Sequence, residues 1–81
     1  MTDKQEFLAT LTEIFQSELD NESLQLKMTD TQDDIQGWDS LAHVRIIMRI
    51  EGAFGVQFEV EEIEHMLSVT AIYEALCRHT G

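Results

Sequence analysis

Four stretches of this chain repeat apolar residues at intervals of three and four, and no proline interrupts any of them. That spacing makes one side of a 3.6-residue helix apolar, and a chain built from it folds by packing helices on one another. The first stretch, from about Asp3 to Glu18, sets Phe7, Leu8, Leu11, Ile14 and Phe15 on one stripe, with Glu6, Glu13 and Glu18 off it. Thr2 is placed to cap it, with Gln5 as the return half of a capping box. The second runs from Asp39 or Ser40 to about Phe54. Leu41, Val44, Ile47, Met48 and Phe54 mark its inward face, Ile46 and Ile50 widen it, and Gly55 stands where a helix stop belongs. Glu59 to Met66 reads as a short acidic helix with Val60, Ile63, Met66 and Leu67 inward. Ser68 caps a last helix whose stripe is Val69, Ile72, Tyr73 and Leu76. The expected order is long helix, long loop, helix, short helix, helix.

The loop is the unusual part, because long connections without structure of their own are uncommon in small domains. Asp20 to Ser23 reads as a helix exit and turn, and the chain stays mostly polar from there to Asp39. Leu24, Leu26, Met28 and Ile35 are too irregular for a helix. The alternation from Leu24 to Met28 admits a strand, but the sequence offers it no second strand to pair with. The expectation is a loop pinned to the core by those four side chains.

At 81 residues the chain bounds one small domain, 1–81, with a modest core and little room for a deep cleft. Five basic residues stand against sixteen acidic ones, a formal net charge of −11. That balance argues against nucleic acid, whose phosphates need clustered Lys and Arg, and against an anionic membrane surface. No apolar run approaches the ~18 residues of a membrane span. It favours protein partners with basic patches and a monomeric state. Cys77, the single cysteine, has no internal disulfide partner, and Met1 to Glu6 shows no signal-peptide pattern, so a cytoplasmic setting is expected. No metal site is expected. A calcium loop starting at Asp30 would need Gly where Ile35 stands and Glu where Leu41 stands. His43, His65, His79 and Cys77 are too scattered for a zinc motif.

Chemistry concentrates at Gly37-Trp38-Asp39-Ser40-Leu41. Ser40 falls in the first turn of the second helix, where free N–H groups and the positive end of the helix dipole favour a phosphate. From these five residues alone Ser40 is either a simple cap or a phosphate attachment point. His43, one turn on, makes a Ser–His pair that a hydrolase could use. The segment lacks the Gly-x-Ser-x-Gly elbow and any visible third residue to orient the histidine, so His43 reads as a rim residue that partners touch. Trp38, just before a helix start, is expected to be partly exposed. Arg45 and Arg49 share a helix face, and either sit in solvent or select a partner.

Asp39-Ser40-Leu41, preceded by Gly37 and followed by the apolar helix Val44 to Phe54, resembles the acyl carrier protein family. The likeness extends over the first helix, the pinned loop, the Phe54-Gly55-Val56 exit, the Glu59–Met66 helix and the Ser68-Val69 start. It implies an all-α four-helix bundle with a long loop between its first two helices and a short third helix. It also implies that Ser40 bears 4′-phosphopantetheine through a phosphodiester, flanked by Asp39 and Leu41, and that the arm's thiol holds acyl groups as thioesters. Such a chain is no enzyme. Its partners are a phosphopantetheinyl transferase using coenzyme A, and acyl-loading, acyl-transfer or synthase enzymes. Trp38, His43, Val44, Arg45, Met48, Arg49 and Ile63 are the expected partner-binding residues; Val44, Ile47, Met48, Phe54 and Ile63 could also shelter an acyl chain. The sequence departs from fatty-acid carriers at Trp38, where those have a small residue, and at Arg45 and Arg49, where theirs is an acidic helix. That turns the expectation toward polyketide-like or other specialised biosynthesis. An aminoacyl or peptidyl carrier, and an acidic interaction module with Ser40 only a cap, are the alternative readings.

Overall fold

Three of the four helices start where a side chain just before them accepts an amide of the first turn. In the computed structural model, which describes residues 3–80 apart from the Thr80 side chain, α1 spans Lys4–Glu18 and is capped by Asp3, whose carboxylate accepts from the Gln5 amide at 3.0 Å. The cap expected at Thr2 lies outside the described residues. α1 ends as Asp20 takes a left-handed backbone, φ 51°, so that the Asn21 amide turns back to the Gln16 carbonyl at 3.0 Å. α2 is Ser40–Phe54, capped by Asp39 and stopped by Gly55 at φ 69°. α3 is the six-residue Val60–His65, and α4 is Val69–Thr80. The Ala71 amide donates to the Ser68 hydroxyl at 3.0 Å, so Ser68 caps α4 as expected. The result is a four-helix all-α fold with no strand among the described residues.

Phe7, Leu11, Ile14 and Phe15 of α1 meet Ile46, Ile47 and Ile50 of α2 and Val69, Ile72, Ala75 and Leu76 of α4 in one core. The long loop joins it as expected. Leu26 and Ile35 are buried, and Leu24 and Met28 pack against the cluster. Polar ties hold the rest of the loop. The Gln16 side chain donates to the Leu24 carbonyl, and the Asp30 carboxylate, itself buried, accepts from the Lys27 amide at 2.9 Å. Gln32 N–H donates to the Leu67 carbonyl at 2.8 Å and Val69 N–H to the Asp30 carbonyl at 2.9 Å, closing a lone bridge between Thr31 and Ser68. One 3-10 turn, Gln32–Asp34, follows. The Asp34 carboxylate accepts from the Thr31 amide and hydroxyl, which with Lys27 nearby holds it below the usual carboxylate range.

Two faces differ from the periodicity reading. α2 buries His43, Ile46, Ile47 and Ile50, while Leu41, Val44 and Met48, expected inward, are exposed. Ile46 and Ile50, expected only to widen the stripe, are its centre. α2 carries apolar residues around most of its girth, so period alone leaves its rotation open. In α3, Val60 and the following Leu67 point to solvent rather than inward, and Met66 is buried.

Candidate functional site

Asp39 sets the site's geometry. Its backbone is extended and its Oδ1 accepts from the Ala42 amide at 2.8 Å, while its carbonyl accepts from His43 N–H. The amides of Ser40 and Leu41 are left in the first turn with no intrahelical acceptor. Ser40 is exposed, and its hydroxyl makes no hydrogen bond among the described residues. Asp39 is thus the cap, which leaves Ser40 free to react. Gly37 aims the chain into this turn at φ 92°, a conformation open to glycine at little cost, and a Cβ there would meet Leu19 Cδ2 at 3.6 Å.

Behind Ser40 lies a buried polar chain. Trp38, expected to be partly exposed, is 3% exposed, and His43, expected at the rim, is 5% exposed. Both expectations of exposure are corrected. Trp38 stands edge-on to Phe15 with centroids 4.8 Å apart. Its Nε1–H donates to His43 Nδ1 at 3.0 Å, and His43 Nε2 lies 2.9 Å from the Ile63 carbonyl oxygen. An indole nitrogen only donates, so Nδ1 is the acceptor and Nε2 carries the proton given to Ile63. This fixes the tautomer and resolves the Ser–His question. Both imidazole nitrogens are engaged away from Ser40, so His43 is no base for it. Each bond is worth about 0.5–1.5 kcal/mol net, and an orphaned buried partner costs about 1–3 kcal/mol.

Exposed Leu41, Val44 and Met48 line the outward side of α2 beside exposed Arg45 and Arg49. Arg49 donates to the Ser17 hydroxyl on α1 at 2.8 Å, whereas Arg45 makes no such bond. Glu51 is turned from this face: its Oε2 accepts from the Phe58 amide at 2.8 Å and anchors the α2–α3 link. A groove of about 330 Å³ opens next to Ser40, lined by Gln32, His43, Val44, Ile63, Glu64 and Leu67. An unbonded serine hydroxyl, free helix-start amides and this groove fit a phosphopantetheine group on Ser40. Among the described residues no cluster could hold a metal, and no helix is long and apolar enough to cross a membrane.

On the far side of α3, Glu62 closes a capping box with the Glu59 amide at 3.0 Å. It also takes His79 Nε2 at 2.8 Å and faces Arg78 at 3.7 Å. The Glu59 amide first, then His79 and Arg78, hold its carboxyl below the usual range. Sequence reasoning missed this clamp and the Trp38–His43–Ile63 chain. The only local signal for either was a tryptophan and a histidine five residues apart.

A fold of this order, with an exposed serine at the start of α2, is that of a carrier of a covalent arm. The model of the phosphopantetheine attachment site matches residues 9–76, and the chain belongs to that family. Among solved structures, it is similar to the holo acyl carrier protein of Geobacter metallireducens, with 27% sequence identity, a TM-score of 0.79, and coverage of 91% of this chain and 85% of that one. No curated protein sequence matches it significantly. The chain therefore has the acyl carrier protein fold and a domain whose family implies a phosphopantetheine prosthetic group. Members are in general non-catalytic, and serve transferase and synthase enzymes.

Proposed function

We propose that Ser40 bears 4′-phosphopantetheine and that the chain carries acyl groups between enzymes of a polyketide-like or other specialised biosynthetic pathway. The observation that carries the attachment reading is the exposed, unbonded Ser40 hydroxyl in a turn already capped by Asp39. When bound, the arm supplies a thiol that holds cargo as a thioester. The chain's own residues do the placing. Asp39 fixes the turn, the Ser40 and Leu41 amides and the helix dipole stabilise negative charge beside Ser40, and Leu41, Val44 and Met48 offer an apolar patch to docking enzymes.

The specialised pathway rests on the outward side of α2. Its exposed charges are Arg45 and Arg49, and the one acid within α2, Glu51, is turned away to the Phe58 amide. An apolar and basic docking face suits partners with an acidic rim. The Glu59–Glu64 segment and, in the long loop, Asp33 and Asp34 carry the acidic surface. A phosphopantetheinyl transferase, acyl-loading enzymes and synthases are the partners of this reading, met in the cytoplasm by a monomer.

Incubation with coenzyme A and a broad-specificity phosphopantetheinyl transferase, followed by intact mass, is the test. The native chain gains one phosphopantetheine, and Ser40→Ala gains none. No gain by the native chain overturns the carrier reading; equal gain by Ser40→Ala overturns the assignment of Ser40. Loading trials with acyl and aminoacyl donors then separate the cargo classes. If Arg45 helps select partners, Arg45→Glu slows transfer from the native acyl-loading enzyme while leaving the modification by coenzyme A unchanged.

A further inference from the structure

Acyl cargo on Ser40 has two places to go: the outer groove, or the interior between α2 and α3. His43 of α2 and Ile63 of α3 both line that groove. These two are joined, His43 Nε2–H to the Ile63 carbonyl at 2.9 Å, and His43 is held from behind by Trp38 at 3.0 Å. Trp38 in turn is wedged against Phe15 of α1. The boundary between groove and core is thus a chain of polar groups with every donor and acceptor paired. No side chain of α3 itself, Val60–His65, is fully buried, so this helix depends on such ties more than the others do. To admit an apolar chain, α3 must leave α2, and the carbonyl of Ile63 and the ring of His43 must then face hydrocarbon without partners.

We infer that Trp38, His43 and the Ile63 carbonyl form a bolt between α2 and α3 that keeps acyl cargo out of the bundle, so that it stays in the outer groove, open to partner enzymes. The inference rests on attachment at Ser40, and mass separates the two. The chain is loaded from octanoyl-coenzyme A by a phosphopantetheinyl transferase and checked by intact mass. Methyl NMR spectra of the loaded and unloaded forms are then compared. Loading shifts the methyls of Val44, Ile63 and Leu67 and leaves those of Ile46, Ile50 and Ile72 in place. In His43→Leu, which replaces the polar link by hydrocarbon, the interior methyls move on loading. His43→Phe keeps a ring beside Trp38 but removes the donor to the Ile63 carbonyl, and gives the same result should His43→Leu fail to fold. Hydroxylamine cleaves the native thioester as fast as free octanoyl-pantetheine, and the variant thioester more slowly. Interior methyls that move on loading the native chain overturn the bolt while leaving attachment intact, and so does a folded variant whose interior stays still. A chain that gains no mass overturns attachment, and the bolt falls with it.

Discussion

α3 is held on its two sides by different physics. Toward Ser40 it is tied by a neutral, part-buried hydrogen bond from His43 to the Ile63 carbonyl, backed by the buried bond from Trp38 to His43. Toward the C-terminus it is held through the Glu62 carboxylate, which is hydrogen-bonded to His79 and paired with Arg78. The Arg78 side chain is 62% exposed, so water and salt weaken that side. The tie beside Ser40 is uncharged and less exposed, so salt acts on it less. A short helix whose functional side is fixed by a neutral, part-buried contact keeps its place beside the serine when ionic conditions change. The side away from the serine is the one that yields.

The largest effect separating the two sides is expected from His43→Ala. It orphans the Trp38 N–H and the Ile63 carbonyl together and empties the space of a ring, so chemical denaturation should show a loss on the order of 3 kcal/mol. Trp38→Phe orphans only His43 Nδ1, and about 1–3 kcal/mol is expected. Trp38→Phe with His43→Leu replaces both partners by hydrocarbon. The pair should therefore be destabilised by less than the sum of its single changes. Additive losses in that cycle would show that the two rings contribute by packing alone.

What the sequence made legible was local chemistry. Asp39, Ser68 and Gly55 act within four residues of themselves, and each was readable as a helix start or stop. Ser40 was readable for the same reason, since its place in the first turn follows from its neighbours. The rotation of α2 was not, because it is decided by partners far along the chain. His43 goes inward only because Ile63, twenty residues on, offers a carbonyl and Trp38 offers an N–H. Apolar spacing alone sets Leu41, Val44 and Met48 inward, and with that face taken as the core His43 falls at the rim. The bond between Arg49 and Ser17 spans 32 residues and left no trace in either segment. Val60 and Leu67 went astray because six residues make fewer than two turns, too few to define a face.

The smallest effect belongs to the charged side and has a definite direction in pH. The folded chain holds the Glu62 carboxyl below its ordinary range, chiefly through the Glu59 amide and then through His79. A carboxyl lowered by folding binds its proton more readily in the unfolded chain. Its contribution is therefore complete above the ordinary glutamate range and is lost as pH falls through the lower, folded value. Amide exchange in Val60–His65 should quicken over that acidic interval before global unfolding, and Glu62→Gln should flatten the response. Added salt should weaken the pair with Arg78 at neutral pH. Neither change should disturb the indole N–H resonance of Trp38, which reports the buried tie. An indole signal that shifts in step with Glu62 would show that the two sides of α3 move as one. Independence would confine charge sensitivity to the side of the helix that faces away from Ser40.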